Sequence, residues 1–246
     1  MNIITSKANN VVKKAKKLHQ KKYRRASYLI EGWHLFEEAV KGQAELIRIF
    51  ALADYAEQLA AFPQTVFVSP DILADLADSK TPQGIVAEIA LDQEEPPASL
   101  FGRCLFLEDV QDPGNVGTMI RTADAAGFDA VVISSHSADI YSLKTLRSMQ
   151  GSHFHLPVYR METAAFIALA RASHLPLLAT TLSEDSLDYR ELSRPEKFAL
   201  VMGNEGQGIS PEIADAADVL VHISMKGQAE SLNVAVAAGI LIFFLS

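Results

Sequence analysis

Val201-Met-Gly-Asn-Glu-Gly-Gln-Gly-Ile-Ser-Pro-Glu212 decides how the rest of the chain is read. The β-rich run Phe198 to Met202 passes directly into a loop with three glycines, Gly203, Gly206 and Gly208, which free the backbone to approach a ligand closely. Ser210, Pro211 and Glu212 then stand in the order of a helix N-cap, first helical position and first-turn acid. A tight connection from strand to helix needs one glycine, not three. The patterns G-x-x-x-x-G-K-[ST] and G-x-G-x-x-G are both absent, so neither a P-loop nor an ordinary dinucleotide-binding turn is supported.

Around this segment, Arg103 to Leu107, Ala130 to Ser134, Pro176 to Thr180 and Val219 to Ile223 are further short β-rich runs alternating with helical patterns. They predict an α/β domain with a largely parallel sheet and helices on both faces. In such sheets ligands bind beyond the carboxyl ends of the strands. Two more polar segments fall there. Leu107 to Gly127 carries the turn Asp112-Pro-Gly, then Asn115, which could cap the next helix, and Arg121 on that helix; a capped helix with a solvated arginine explains them equally well. Ile223-Ser-Met-Lys-Gly-Gln-Ala-Glu-Ser-Leu-Asn-Val234 leads to a helix expected over Ser231 to Leu245. Ser231 could be its N-cap, whereas Asn233, two residues inside, calls for a hydrogen-bond partner. The helix is apolar around most of its circumference and must be covered by its own domain or by a second subunit.

Upstream, the acidic and proline-bearing stretch Asp92 to Ser99 reads as a linker over 94–99 that separates residues 1–93 from 100–246. The first part holds a basic helix at about 7–20, a helix from Trp33 to Val40, and strand-like runs near Leu46 to Phe50, Thr65 to Val68 and Gly84 to Ile89, which together predict a small α/β domain. With 246 residues, 49% of them hydrophobic, the chain can bury a real core, which excludes a disordered or disulfide-stapled protein. A net charge of −8 argues against a nucleic-acid partner only until it is located. Residues 1–25 carry nine Lys and Arg (Lys7, Lys13, Lys14, Lys16, Lys17, Lys21, Lys22, Arg24, Arg25) and no acid, so the remainder bears 13 bases against 30 acids. The single cysteine, Cys104, lies in an apolar run and reads as a buried, inert thiol. The basic start is not followed by an apolar stretch, and the longest apolar run, Leu232 to Leu245, falls short of the roughly 20 residues of a membrane span, so a soluble cytoplasmic protein without membrane contact is expected. His153 and His155 alternate along a strand-like run but have no third ligand at suitable spacing, so packing is favoured and no metal is expected.

Taken together, three segments resemble the motifs of the SpoU-type RNA 2′-O-ribose methyltransferases of the SPOUT superfamily: Asp112-Pro-Gly-Asn-Val-Gly with Arg121-Thr-Ala; Met202-Gly-Asn-Glu-Gly-Gln-Gly; and Ile223-Ser-Met-Lys-Gly with Ser231-Leu-Asn-Val-Ala-Val-Ala. Tyr141 to Pro157 is similar to the family's intermotif segment. Ser6 to Arg25 with Tyr28-Leu-Ile-Glu-Gly32 resembles the start of the ribosomal-protein-like substrate-binding domain that many members carry. Leu143 and Ser224 stand where the family often has proline.

The resemblance implies a parallel sheet whose C-terminal segment forms a deep trefoil knot, preceded by a small α/β RNA-binding domain. It implies S-adenosylmethionine bound by Thr180, Gly203, Gly208, Ile223, Met225 and Leu232, and a catalytic set of Asn115, Arg121, Glu205, Ser231 and Asn233. It also implies a homodimer through the knotted domain and methylation of structured RNA, ribosomal rather than transfer RNA. Because a guanidinium stays protonated at any accessible pH, Arg121 is expected to clamp a phosphate rather than act as a base. The basic arm is expected to follow an RNA backbone through Lys13, Lys14, Lys17, Lys21, Arg24 and Arg25, with Lys144, Arg147 and Lys226 as secondary contacts. Deleting residues 1–25 is therefore expected to weaken RNA binding and flatten its salt dependence while leaving cofactor binding unchanged. The competing readings are a transfer-RNA 2′-O-methyltransferase, a non-catalytic RNA-binding scaffold and a nucleotide-dependent enzyme on an ordinary doubly wound sheet.

Overall fold

The computed structural model describes residues 2–91, 96–183 and 185–246, and the chain divides into two compact units. Of the linker expected over 94–99, residues 94 and 95 lie outside the described residues, and 96–99 carry no helix or strand.

The first unit comprises residues up to Gln93 together with Tyr141–Phe154. Its elements are β1 (Ile3–Ile4), α1 (Asn10–Lys17), β2 (Ser27–Glu31), α2 (Trp33–Lys41), β3 (Leu46–Ala51), β4 (Thr65–Val68), α3 (Pro70–Leu76) and β5 (Ile85–Ala90). They form a five-stranded mixed sheet in the order β1-β4-β3-β5-β2. The α1 helix starts at Asn9, whose side chain accepts from Val11 N. Its apolar stripe, Val12 and Ala15, continues through Leu18 into a core with Leu29, Phe50, Ile72, Leu76 and Val86. This corrects one expectation: removing residues 1–25 would strip β1 from β4 and α1 from the core, so it is no clean test of RNA binding.

The second unit holds β6 (Arg103–Leu107), α4 (Pro113–Ala125), β7 (Ala130–Ser134), β8 (Val158–Met161), α6 (Thr163–Ala172), β9 (Leu177–Thr180), β10 (Leu187–Asp188), β11 (Phe198–Met202), α7 (Pro211–Ala216), β12 (Val219–His222) and α8 (Val234–Leu245). The helix α5 (Leu143–Met149), between β7 and β8 in sequence, packs within the first unit. Seven parallel strands lie in the order β10-β12-β9-β11-β6-β7-β8. Both faces are covered, which explains why β6, β7 and β11 read as unbroken apolar runs. On one face Cys104, Phe106, Leu177 and Val201 pack with Phe166 and Ala170 of α6, and the Phe106 and Phe166 rings stack at 3.9 Å. Burial, with Asp129 nearby, pushes the Cys104 thiol up to about 12, as suits an inert core group. The α8 helix packs on α4 and β11.

From β6 the chain moves outward to β7 and β8, then returns to β9, β11 and β12 on the opposite side. The order reverses between the paired strands β6 and β11, so the loops leaving their carboxyl ends lie side by side.

Candidate functional site

At that reversal, Glu108 N–H still donates to Met202 O at 2.8 Å, extending the β6–β11 ladder by one residue. The backbone then turns sharply at Asp109, which has φ +52°, a left-handed conformation that Asp tolerates better than most residues. Two clamps hold it. From the β7 side, Asp109 N–H donates to Ser134 Oγ at 2.8 Å, and Val110 N–H donates to Ser137 Oγ at 3.1 Å. From the β11 side, Asn204 Nδ2 donates to Asp109 O at 2.8 Å while its Oδ1 accepts from Gly206 N and Gln207 N. One side chain thus fixes the shape of the glycine loop and joins it to the loop after β6.

The sequence expectation that Asn115 caps α4 is corrected. Asp112 is the N-cap, accepting from Gly114 N and Asn115 N, with Pro113 at the first position. Asn115 is released for another task. Its Nδ2 donates to Glu205 Oε1 at 3.0 Å, and the same carboxylate accepts from Gln111 N and Asp112 N, both at 3.0 Å. Burial opposes ionisation of Glu205, but the hydrogen bonds from Asn115, Gln111 and Asp112 outweigh it and hold the carboxyl below its usual value. The group stays ionised as pH falls until that depressed value is crossed, and its grip on Asn115 is lost only below it.

The C-terminal helix is likewise corrected. It begins at Val234, and its N-cap is Asn233 rather than Ser231: Asn233 Oδ1 accepts from Ala235 N at 2.9 Å and Val236 N at 3.3 Å. This fixes the amide's orientation, since only the oxygen can face two N–H groups. Its Nδ2 then donates to Asn115 Oδ1 at 3.1 Å. A directed chain results, from the N-terminus of α8 through Asn233 and Asn115 to Glu205, with one side-chain N–H left over on each asparagine among the described residues.

Beside this chain lies a cavity of about 560 Å³, within the range of small-molecule sites. Its walls come from the ends of β9, β11 and β12 and from the start of α8. Thr180, Gly203, Gly208, Ile223, Met225 and Leu232, expected from three separate segments, all line it, as do Glu205 and Ser231. Met202, Ile209, Val234 and Leu241 supply apolar wall; Thr181, Ser183 and Asn204 supply polar atoms. Met225 and Leu232 lie outside helices and strands, so their amides belong to no ladder. Mixed walls of this kind fit a small ligand with both apolar and polar surface.

The glycines do different work. A Cβ on Gly203 would sit 2.3 Å from Gly208 C, so only glycine lets the loop close on itself, through Asn204 N–H to Gly208 O at 2.8 Å and the reciprocal bond at 2.9 Å. Gly208 has φ +70° in open space. Ser224, where the resembled family favours proline, donates its N–H to Asp188 Oδ2 at 3.3 Å and shares a hydrogen bond with His222 Nε2 at 3.2 Å; proline offers neither group.

Arg121 is not brought to the cavity. It lies six residues beyond Asn115 on α4, about 9 Å along the axis, exposed, and forms no hydrogen bond or ion pair among the described residues. Of the expected RNA contacts, Lys13, Lys14, Lys17, Lys21, Arg25 and Lys144 are exposed. Arg24 is half-buried and closes the end of α1 by donating to Leu18 O at 2.7 Å and His19 O at 3.0 Å. Arg147 is paired with Asp78 at 2.8 Å and Glu31 at 3.7 Å. His153 lies in a 3-10 turn, not a strand, and meets the Tyr28 hydroxyl at 2.9 Å. No group of three or more metal-ligating side chains occurs among the described residues. Sequence reasoning missed Asp109, Ser134, Ser137 and Asn204; the turn preference of Asn inside a glycine loop was the one signal that could have found any of them.

Comparison with known proteins places this geometry. The SpoU rRNA Methylase family profile matches residues 102–243, and the MRM3-like substrate binding domain profile matches residues 9–87. A 23S rRNA (guanosine(2553)-2′-O)-methyltransferase of Bacillus subtilis is 41% identical over 100% of this chain and 99% of its own length. A 23S rRNA (uridine(2479)-2′-O)-methyltransferase of Streptomyces viridochromogenes is 30% identical, over 86% of this chain and 76% of its own. The crystal structure of an AdoMet-bound rRNA methyltransferase from Sinorhizobium meliloti superposes with a TM-score of 0.90 at 32% identity, covering 99% of this chain and 97% of that one. With its family profile covering every strand of the parallel sheet and its likeness to the Bacillus subtilis relative running end to end, the chain belongs to the SpoU rRNA Methylase family.

Proposed function

We propose that this protein transfers the methyl group of S-adenosylmethionine to a ribose 2′-hydroxyl of structured RNA, ribosomal RNA in particular. The observation that carries the reading is the convergence of Thr180, Gly203, Gly208, Ile223, Met225 and Leu232 on one cavity beside the Asn233–Asn115–Glu205 chain. The names of the Bacillus subtilis and Streptomyces viridochromogenes relatives support 23S ribosomal RNA over transfer RNA. Bound in the cavity, S-adenosylmethionine supplies an electrophilic methyl on a sulfonium.

The protein's part is to orient the acceptor and manage its proton. Glu205 is a poor base, because its carboxylate already accepts three hydrogen bonds and lies below its usual range. Its role is to hold Asn115 in one orientation. The spare N–H groups of Asn115 and Asn233 can donate to oxygens of the acceptor nucleotide, and the exposed Ser231 hydroxyl at the cavity wall can share its proton. Arg121 clamps the phosphate beside the acceptor ribose, and the hydroxyl proton leaves through phosphate or water.

The distance of Arg121 from Asn115 along α4 supports a site completed across a homodimer. So do the exposed Val236 and Phe243 on α8, at 53% and 59%. We assign the dimer to this helix, the C-terminal segment to a trefoil knot, residues 1–93 to RNA binding and the protein to the cytoplasm. Lys13, Lys14, Lys17, Lys21, Arg25 and Lys144 supply phosphate contacts. Calorimetric titration tests the cofactor: S-adenosylmethionine binds at one site per chain, whereas binding of ATP or NAD in its place refutes the proposal.

A further inference from the structure

The first unit's basic face contains a group that phosphate binding does not account for. Tyr23 sits in the 3-10 turn Lys21–Tyr23 that follows α1, and it is 42% exposed. Every other Phe, Tyr and Trp of this unit among the described residues is buried or half-buried. Eight of the nine basic residues in the segment 1–25 that carries it fall into two groups. Lys7 and Lys16 pair with Asp75 at 3.7 and 2.5 Å, and Arg24 is bound to carbonyls, so these serve the fold. Lys13, Lys14, Lys17, Lys21 and Lys22 form no ion pair among the described residues. Two of them, Lys17 and Lys22, place their ammonium groups 5.6 and 5.0 Å from the Tyr23 ring centroid.

An exposed ring costs free energy in water and gains little from solvated lysines. A flat π-face among unpaired cations is, however, the combination that binds unpaired nucleotides: the base stacks on the ring, and the displaced ammonium groups meet the adjoining phosphates. A duplex, its bases already stacked, has nothing to offer the ring. We propose that Tyr23, with Lys17 and Lys22 beside it, is a stacking site for an unpaired base, so that this unit selects RNA with an open loop over continuous duplex. This rests on the RNA reading above and specifies its substrate.

The test uses the full chain and two RNAs of equal charge, a hairpin with an open loop and a blunt duplex, with affinity measured by fluorescence anisotropy. Tyr23→Ala is expected to weaken hairpin binding about tenfold and leave duplex binding within about twofold, while Tyr23→Phe keeps the hairpin affinity. A 2-aminopurine in the loop should be quenched by the wild type and Tyr23→Phe, not by Tyr23→Ala. Equal losses on both RNAs, no loss on the hairpin, or the same loss with polyglutamate as ligand would overturn the stacking site. A wild type that binds neither RNA overturns it together with the RNA reading; a wild type that binds hairpin no better than Tyr23→Ala overturns the stacking site alone.

Discussion

Asn233 carries two duties that a single atom change can separate. As N-cap of α8 it uses Oδ1, and as the orienting partner of Asn115 it uses Nδ2. Asn233→Asp keeps the cap, which favours an acidic group at a helix N-terminus, but sets an acceptor against the Asn115 oxygen. Its melting temperature is expected to stay at or above that of the wild type while methyl transfer falls at least about a hundredfold. Asn233→Ala loses both, with a stability cost of about 1 kcal/mol. If Asn233→Asp retains full turnover in a single-turnover assay, the amide chain plays no part in the reaction. Arg121 presents the opposite case. Exposed and without a partner among the described residues, it contributes little to the fold, so Arg121→Ala should change stability by less than about 0.5 kcal/mol. It should abolish methyl transfer while S-adenosylmethionine affinity, read by calorimetry, is unchanged. Retained turnover would remove Arg121 from the mechanism.

At the scale of elements, the glycine loop after β11 makes a graded prediction. Gly203→Ala forces a Cβ onto the backbone of Gly208 and must open the Asn204–Gly208 pairing, so cofactor binding should be lost and the thermal transition lowered. Gly208→Ala meets no atom within 4 Å and carries only the penalty of a left-handed residue, about 1–2 kcal/mol. Equal effects of the two on cofactor affinity would show that loop closure is not what shapes the cavity. The strands were legible because burial on both faces leaves an unbroken apolar signature: β6, β7 and β11 fall where the apolar runs predicted them. The caps were not, because Asp112, Asn115, Ser231 and Asn233 are all competent cap residues and sequence alone cannot say which one the chain uses. The cavity residues were found through family resemblance. Asn204 stood inside the resembling motif without a role, and Ser134 lay outside every motif; both bind backbone, and such partners leave no trace in residue spacing.

For the whole molecule, the charge of −8 is an average over a basic first segment and an acidic remainder. The fold changes how that asymmetry can be tested. Since α1 and β1 are built into the first unit's core and sheet, the segment cannot be cut away, but its solvent-facing lysines can be neutralised in place. Replacing Lys13, Lys14, Lys17 and Lys21 with glutamine should leave the fold and cofactor affinity intact and weaken RNA binding. The salt dependence of binding should flatten by about one in slope for each phosphate contact removed. An unchanged slope would place the RNA elsewhere. The reaction is tested by following the methyl group itself: purified protein, S-adenosylmethionine labelled on the methyl, and unmodified 23S ribosomal RNA, followed by nuclease digestion and mass spectrometry of the oligonucleotide fragments and of their nucleosides. Label is expected on a ribose 2′-oxygen at a discrete position, and is lost with Arg121→Ala; label on a base, or none transferred to RNA, would contradict ribose methylation by this protein.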